Sequence, residues 1–184
     1  MISCDPQHWN EVDIVISIDR LDASLLKLLT DDPRAGVMEL AARLGVARNT
    51  IASRMRRLEE TGVVTGYRPD VDLPTLGLPV QAFVGAELEQ GRIKDVIEDL
   101  RGVPEVLEVH TTTGREDLLI RIAAPSHEEL LHVLESILGL DGVAHTTTTL
   151  ALTTPVKYRT QPLVDHITRE AGHGRSAASY RADG

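Results

Sequence analysis

Apolar residues in the first third of the chain recur at the spacing of amphipathic helices. Leucines three and four positions apart predict a first helix over Leu21–Leu29. Asp22 is its predicted N-cap, because an aspartate side chain accepts a hydrogen bond from a free amide of the first turn. A second helix is predicted over Val37–Leu44, and a third begins near Arg48.

A glycine separates the second and third predicted helices. Gly45 follows the last periodic residue of the second helix, where the chain turns through a positive φ that glycine adopts easily. In the third helix Ile51, Met55 and Leu58 form an apolar stripe. Ala41 supplies the small residue that a close helix crossing requires. Three short helices with this turn predict a helix-turn-helix domain.

The pattern changes from helical to alternating beyond residues 66–79, whose polar, glycine and proline residues are typical of a linker. The elements predicted there are strands Val80–Leu88, Glu105–Thr113, Glu116–Ala124 and Gly142–Thr153, a helix Arg92–Arg101, and a helix capped by Ser126 that ends at Leu138. Their order, β-α-β-β-α-β, is the ferredoxin-like arrangement. We therefore predict an α+β protein with an N-terminal helix-turn-helix domain and a ferredoxin-like βαββαβ domain after it.

The two faces of this predicted sheet differ, because a two-layer α/β sandwich covers only one of them with helices. Alternation directs Val84 and Ile120 toward the helices. Six apolar side chains are predicted on the other face: Phe83, Leu107, Val109, Leu119, Leu150 and Leu152. Such a patch is rarely left in water, and a second copy would cover it. We therefore expect a homodimer, which suits a helix-turn-helix protein that reads two half-sites.

Positive charge is concentrated in one segment of an acidic chain. The 184 residues have a formal net charge of -9, yet residues 34–57 hold six arginines and one glutamate, a charge of +5. The rest of the chain therefore has a charge of -14. A polyanion is attracted to this one segment and repelled elsewhere.

Composition argues against several classes of protein. No apolar run approaches the roughly 20 residues that span a bilayer. The first twenty residues lack the basic and apolar regions of a secretory signal. The single cysteine, Cys4, cannot form an internal disulfide and fits a reducing compartment. We expect a cytoplasmic protein.

The outer face of the third helix is rich in hydrogen-bond donors. It carries Arg48, Asn49, Ser53, Arg56 and Arg57, with Thr50 and Arg54 at its edges. Arginine can bind guanine edges and phosphates through two N–H groups. We expect Arg48, Asn49 and Ser53 to read sequence, because the helix N-terminus enters the groove first. We expect Arg56 and Arg57 to bind the DNA backbone, while Arg54 could pair with an acid.

No catalytic or metal site is predicted. His127 and His132 lie five positions apart, so they do not share a helix face as the histidines of a zinc-protease motif do. The threonine runs at 111–113 and 146–149 are first of all β-branched strand formers. The sequence contains no glycine-rich phosphate loop and no nucleophile–base pair that could be named. We expect neither enzyme activity nor a cofactor.

Motifs in both halves of the chain match one known family in combination. They are Arg34, Glu39-Leu40-Ala41, Gly45, Ile51, Arg54, Met55, Arg57-Leu58-Glu59 and Gly62-Val63-Val64, then Thr113-Gly114-Arg115-Glu116-Asp117-Leu118-Leu119, then Gly142-Val143 and Thr146–Leu152. Together they resemble the DNA-binding and ligand-sensing halves of the Lrp/AsnC (feast/famine) transcriptional regulators. The resemblance covers about residues 21–163.

The resemblance implies a transcription factor whose C-terminal domains form dimers, often octamers, and bind a small effector, usually an amino acid, between them. The DNA contacts it implies are Arg48, Asn49, Thr50, Ser53, Arg54 and Arg57. The effector-binding residues it implies are Thr112, Thr113, Gly114, Arg115, Glu116 and Asp117. Backbone N–H groups and Arg115 would bind the carboxylate of an amino acid, and Glu116 or Asp117 its ammonium.

Two residues depart from the family pattern. Ala47 stands where serine is common, and losing that N-cap costs about 1 kcal/mol unless Asn49 or a phosphate satisfies the helix amides. Glu116 stands where an aromatic residue is common, so the wall of the effector site is charged here. This second departure leaves the identity of the effector open.

The predicted chain organisation has five parts. They are an N-terminal extension (1–20), the helix-turn-helix DNA-binding domain (21–65), a linker (66–79), the ferredoxin-like effector-binding and oligomerisation domain (80–163) and a C-terminal tail (164–184). We predict a sequence-specific transcriptional regulator that responds to an amino acid. The alternative is an architectural nucleoid protein that wraps DNA with little sequence preference, and the ratio of specific to nonspecific affinity separates the two.

Overall fold

The computed structural model describes residues 17–172, which form two compact units. The helical unit contains residues 17–69 and 157–172, and the sheet unit contains residues 70–156. The elements are α1 (Arg20–Asp31), α2 (Val37–Leu44), α3 (Arg48–Glu60), β1 (Val80–Leu88), α4 (Ile93–Arg101), β2 (Val106–Thr111), β3 (Leu118–Ala124), α5 (His127–Leu138), β4 (Val143–Leu150) and α6 (Gln161–Ile167). None of the helices within 17–172 is long and apolar enough to cross a membrane.

Helix α1 begins one residue earlier than predicted, and its N-cap lies three residues earlier. Its N-cap is Asp19, whose carboxylate accepts a 2.9 Å hydrogen bond from the N–H of Asp22. The carboxylate of Asp22 accepts a 3.0 Å bond from the N–H of Asp19, which completes a reciprocal capping box. The prediction of Asp22 as the N-cap is therefore wrong. The N-cap is Asp19, and Asp22 is the N3 residue of the same capping box.

Helices α2 and α3 are joined by a left-handed turn and enclose a small core. Gly45 has φ 66° and ψ 30°, and its N–H bonds to carbonyls at the end of α2. Ile51 and Leu58 of α3 are fully buried, as is Leu40 of α2. They pack with residues of α1 in one hydrophobic cluster. The predicted helix-turn-helix arrangement is confirmed.

A buried carboxylate joins α1 to α3. Asp22 has no exposed surface, and its carboxylate lies 2.8 Å from Nη1 of Arg54 and is also bonded by the guanidinium of Arg57. Arg54 bonds to Asp19 as well, at 2.7 Å. Burial raises the pKa of Asp19, but the Asp22 N–H and the Arg54 guanidinium outweigh it and hold that pKa below its usual value. Two residues of α3 are thus fixed to the first turn of α1.

Helix α6 packs against α1 within the helical unit. The side chain of Gln161 donates a 3.1 Å hydrogen bond to the carbonyl of Ala23, and the N–H of Arg20 bonds to the carbonyl of Gly172. Thr168 is almost completely buried. The sequence division ended the effector domain at residue 163 and assigned residues 164–184 to a tail, whereas the structure groups residues 157–172 with the helix-turn-helix. Residues 1–16 and 173–184, which hold most of the N-terminal extension and the end of the tail, lie outside the described residues.

The sheet unit is a two-layer α/β sandwich. Its four antiparallel strands lie in the order β2-β3-β1-β4, and α4 and α5 contribute to the core on one face of the sheet. The fully buried residues of that core include Val84 and Ile120 from the two central strands and Leu100 and Ile137 from the helices. Ser126 caps α5 by accepting a 3.1 Å bond from the N–H of Glu129. The predicted βαββαβ fold is confirmed.

The open face of the sheet is less apolar than predicted. Val109 pairs with Ile120, and Leu150 pairs with Ala82, so both lie on the helix-facing side. A bulge between residues 106 and 108 shifts the alternation of β2, which is why Val109 changes sides. Leu152 lies beyond the end of β4. Of the six residues predicted, Phe83 and Leu119 occupy the open face within the paired strands, 38% and 37% exposed.

The two units carry opposite charge. The described residues of the helical unit hold twelve arginines and lysines against nine aspartates and glutamates, a formal charge of +3. The sheet unit holds five arginines and lysines against fifteen aspartates and glutamates, a formal charge of -10. The acidity of the chain therefore belongs chiefly to the sheet unit.

Replacement of Gly45 by alanine should destabilise the helical unit by about 1 kcal/mol, because an L-residue is strained at its φ of 66°. Urea unfolding followed by circular dichroism measures this loss. The Gly45→Asn variant should lose less, since asparagine tolerates the left-handed region. Equal stability of the alanine variant, the asparagine variant and the native chain would contradict the role of the turn.

The Asp22→Asn substitution should cost about 3 kcal/mol in free energy of unfolding, because it removes the buried charge that two guanidinium groups share. The loss lies at the low end for a broken buried pair, since the side chain of Arg57 is 41% exposed. Chemical denaturation measures it. Asp31→Asn, at an exposed position of the same helix, is the matched control and should change stability by less than about 0.5 kcal/mol. Similar losses in the two variants would refute the anchoring role of Asp22.

Candidate DNA-binding helix and effector pocket

One face of α3 is free of the helical core and carries polar side chains. Burial of Ile51 and Leu58 fixes the rotation of the helix, so that Arg48, Asn49, Ser53 and Arg56 are exposed. Thr50 is half-buried at the edge of this face. Nε of Arg56 lies 3.9 Å from the carboxylate of Glu60, and both side chains are about 70% exposed, so this pair is weak. These residues form a surface of guanidinium, amide and hydroxyl groups.

The N-terminus of α3 presents backbone amides without a side-chain cap. Ala47 occupies the N-cap position and no side chain accepts a hydrogen bond there. Asn49 does not supply a cap either, and Arg48 beside it adds positive charge. The first turn of a helix attracts anions through its unpaired N–H groups and its dipole. A phosphate oxygen is therefore a suitable partner for this end of α3.

Two arginines expected at the DNA face are turned toward α1 instead. The side chain of Arg54 is only 13% exposed and is bonded to both Asp19 and Asp22. Arg57 is bonded to Asp22 and to the carbonyl of Ser17, the latter at 3.2 Å. Their guanidinium groups neutralise a buried carboxylate, and the contact of Arg54 and Arg57 with DNA stays a prediction. The sequence indicated an acidic partner for Arg54, whereas for Arg57 the only signal was the acids of the first predicted helix.

The segment between β2 and β3 is held by backbone and side-chain hydrogen bonds. The N–H of Thr112 bonds to the carbonyl of Asp117 at 2.9 Å, and the N–H of Asp117 bonds to the carbonyl of Ala86 at 2.8 Å. The carboxylate of Asp117 accepts a 2.8 Å bond from the N–H of Leu88. Asp117 therefore fixes the turn to β1, and its carboxylate is already engaged.

Arg115 is paired with Glu87 of β1. Its Nε lies 2.8 Å from the carboxylate of Glu87, and its side chain is 74% exposed. Gly114 before it has φ 139°, which favours glycine in this turn. The expectation that Arg115 receives the carboxylate of an effector stays a prediction, since so exposed an ion pair is weak.

A cavity of about 280 Å³ lies over the open face of the sheet, next to this turn. Its lining residues are Phe83, Gly85, Thr112, Thr113, Glu116, Leu119, Thr147 and Thr149. Three of the six residues expected to bind an effector, Thr112, Thr113 and Glu116, therefore line one cavity. The other three, Gly114, Arg115 and Asp117, are not among its lining residues. Thr147 and Thr149 of β4 were not predicted as site residues, because threonine is common in any strand.

Gly85 makes room for Glu116. A Cβ atom built at Gly85 would lie 2.6 Å from Cγ of Glu116, closer than side chains approach one another. Gly85 pairs with Leu119 on one side and with Thr147 on the other, so the missing side chain is at the centre of the cavity floor. The sequence carried a signal for this position, since a glycine inside a strand marks a close approach.

The cavity combines hydroxyl groups, one carboxylate and one aromatic ring. Glu116 is the only charged residue among those that line it. Threonine hydroxyls can donate to a ligand oxygen, and the carboxylate can accept from an ammonium. Within residues 17–172 no group of three or more histidine, cysteine, aspartate or glutamate residues is placed to bind a metal ion. The cavity therefore suits a small polar organic ligand.

Both units match models of known domains. Residues 18–59 match the AsnC-type helix-turn-helix domain, and residues 81–161 match the Lrp/AsnC ligand binding domain. The first match covers α1 to α3, and the second covers the whole sheet unit from β1 onward, including the cavity. The order of these matches agrees with the fold, and the second match extends five residues past the sheet unit, to residue 161.

Similar proteins carry the same pair of domains over nearly their full length. The HTH-type transcriptional regulator FL11 of Pyrococcus horikoshii is 32% identical over 139 residues, 76% of this chain and 92% of that protein. The structure of Escherichia coli AsnC is 32% identical, has a TM-score of 0.74 and covers 79% of this chain and 99% of its own. A Neisseria meningitidis transcriptional regulator in complex with L-methionine is 25% identical, with a TM-score of 0.74 and coverage of 82% and 99%. The chain belongs to the Lrp/AsnC family of transcriptional regulators.

Proposed function

We propose that the chain represses or activates transcription by placing the N-terminal half of α3 in the major groove of DNA. The single observation that carries this proposal is the exposed polar face of a helix whose opposite face is locked in the core. An α-helix fits the major groove, where each base pair presents its own pattern of donors and acceptors. This function places the chain in the cytoplasm.

The proposed contacts divide by position along α3. Arg48, Asn49 and Ser53 reach the base edges, with Thr50 beside them, and Arg56 binds a phosphate farther along the groove. Arg54 and Arg57 fix the position of α3 against α1 through their bonds to Asp22. The uncapped amides of the first turn bind a second phosphate.

The proposed effector site is the cavity lined by Thr112, Thr113 and Glu116. Support comes from the match of this unit to a ligand-binding domain and from related structures that contain L-methionine. The effector of this chain is proposed to be an amino acid, with its ammonium at Glu116 and its carboxylate at the threonine hydroxyls. Binding at that place would change DNA binding only if the two functional states differ in affinity for the ligand.

The chain is further proposed to act as a homodimer, with octamers as a higher assembly. Support comes from Phe83 and Leu119, which remain exposed on the open face of the sheet and also line the cavity, so the proposed effector site lies between the two copies. A dimer presents two copies of α3 to half-sites about one helical turn of DNA apart. The alternative function, an architectural protein that wraps DNA, predicts similar affinity for all sequences, whereas direct readout by Arg48 and Asn49 predicts a preferred site.

The Asn49→Ala and Arg56→Ala variants should affect DNA binding differently. Loss of Asn49 should reduce the preference for the operator over a scrambled duplex by about 1 to 3 kcal/mol, because a base contact is lost. Loss of Arg56 should weaken binding to both duplexes equally and lower the slope of log K against log salt by about 0.9, because a phosphate contact is lost. Fluorescence anisotropy on the chain's own upstream region over a salt series measures both effects.

Arg101→Ala is the control for this comparison. Arg101 is exposed on α4 of the sheet unit and is paired with Glu98, so its loss removes the same charge without touching α3. Binding should not change in that variant. Equal losses in Arg101→Ala and Arg56→Ala would show a nonspecific charge effect, and an unchanged preference in Asn49→Ala would remove the proposed reading role.

The Gly85→Ala substitution should abolish the response to the effector while DNA binding without effector is kept. The added Cβ would lie 2.6 Å from Cγ of Glu116 and displace that side chain from the cavity. The response is the change in operator affinity across a panel of amino acids. The variant should lose at least about tenfold in effector affinity, the value expected for a lost charged hydrogen bond.

The Gly85→Ala/Glu116→Ala double variant separates a steric from a chemical effect. Shortening Glu116 removes the clash, so the melting temperature should return to that of the native chain, whereas the effector response should remain absent. Recovery of the response in the double variant would show that Glu116 does not bind the effector.

A further inference from the structure

Helix α6 lies at the edge of the region that the two domain matches cover. The helix-turn-helix match ends at residue 59, and the ligand-binding match ends at residue 161, where α6 begins. Residues 157–172 nevertheless belong to the helical unit. The DNA-binding unit of this chain therefore contains a helix that the helix-turn-helix match does not include, and the contacts of α6 indicate its role.

Helix α6 faces the rest of the helical unit with polar side chains. Thr168, its C-cap, is 2% exposed, and Gln161 and Val164 on the same side are half-buried. Leu163 and Ile167 are 65% and 59% exposed. A helix that only covered apolar surface would turn its leucine and isoleucine inward. Attachment of α6 therefore relies chiefly on hydrogen bonds to particular atoms.

These hydrogen bonds hold the first turn of α1. The side-chain amide of Gln161 donates to the carbonyl of Ala23 at 3.1 Å. The guanidinium of Arg20 bonds to the carbonyl of Arg169. The N–H of Arg20, which has no partner within its own helix, bonds to the carbonyl of Gly172 at 3.4 Å. The C-terminal segment thus binds α1 at its first and fourth residues.

The same turn carries the carboxylate that holds α3. Asp22 lies between the two residues that the C-terminal segment binds, and its buried carboxylate is bonded by Arg54 and Arg57. The ends of helices fray, and fraying of this turn would separate Asp22 from its guanidinium partners. The hydrogen bonds at Arg20 and Ala23 oppose that fraying. Helices α3 and α6 are therefore both attached to one turn of α1.

We propose that α6 is a positioning element of the DNA-binding unit, which holds the first turn of α1, keeps Asp22 in place and so fixes α3 for the readout of base edges. This inference rests on the proposed function, since it assumes that α3 enters the major groove. Base readout needs hydrogen bonds at fixed positions, whereas phosphate contacts give affinity for any duplex. Detachment of α6 therefore lowers the preference for the operator more than it lowers general affinity for DNA.

Two arginine substitutions at neighbouring positions test this role in the full chain. Thr168→Arg places a large charged side chain in a buried site and should detach α6. Ile167→Arg adds the same charge at an exposed position and should leave α6 attached. Thr168→Arg should lose at least about tenfold in preference for the operator over a scrambled duplex, about the value of one base contact, and Ile167→Arg should keep that preference. Fluorescence anisotropy measures both affinities.

Hydrogen exchange reports on the first turn of α1 directly. Mass spectrometry of the peptide that contains residues 20–25 should show exchange at least about tenfold faster in Thr168→Arg and unchanged in Ile167→Arg. Circular dichroism checks that both variants are folded. A helix that only stabilised the unit would change exchange and melting temperature and leave the operator preference unchanged.

Gln161→Met is a milder variant that decides the question if Thr168→Arg unfolds the unit. It removes the donor to Ala23 without adding charge and with little change in side-chain length. Its operator preference should fall about twofold to tenfold, the value of one net hydrogen bond. Leu163→Met, on the exposed side of the same helix, is the control and should change nothing.

Faster exchange together with a lost operator preference in Thr168→Arg, and neither effect in Ile167→Arg, supports the proposal. It is overturned by an unchanged preference in Thr168→Arg or Gln161→Met, by equal losses in the two arginine variants, by an equal loss of affinity for operator and scrambled duplex, or by unchanged exchange. A native chain that bound operator and scrambled duplex equally would overturn the proposed function itself. A native preference that Thr168→Arg retains overturns the role of α6 alone.

Discussion

The arrangement of the DNA-binding unit depends on the buried carboxylate of Asp22. This carboxylate has no exposed surface and accepts hydrogen bonds from Arg54 and Arg57 of α3. The backbone N–H of Asp22 donates to the carboxylate of Asp19, the N-cap of α1. Burial of one charge without partners would cost several kcal/mol, so the two guanidinium groups must stay with it. This requirement fixes the rotation and the height of α3 against α1 more specifically than apolar contacts alone, which tolerate sliding.

The same contact divides the arginines of α3 into two pairs. Four arginines lie on α3, and two of them neutralise Asp22 and Asp19. The other two are Arg48 at the N-terminus of the helix and Arg56, about two turns farther along. The basic segment of the sequence thus combines two roles that a count of charges does not separate. One pair of arginines holds the helix and the other pair is presented by it.

The sequence predicts the architecture well where periodicity is long. Strand β1 spans Val80–Leu88 as expected, because nine alternating residues determine both its length and its faces. The sequence predicts poorly where a single residue or hydrogen bond determines the structure. A bulge in β2 moves Val109 to the core side of the sheet. A hydrogen bond from Gln161 of α6 attaches this short C-terminal helix to α1. In the cavity, the turn was visible from its motif, whereas Thr147 and Thr149 join it only through strand pairing with β1.

The separation of charge between the units resolves the contrast between an acidic chain and a polyanionic partner. A formal charge of -10 on the sheet unit repels phosphates, while +3 on the described residues of the helical unit attracts them. The repulsion limits nonspecific binding, since a chain that was basic throughout would bind any duplex through counterion release. In the proposed mode of binding, specificity depends on the few exposed donors of α3, so net acidity is compatible with DNA binding and would favour its selectivity.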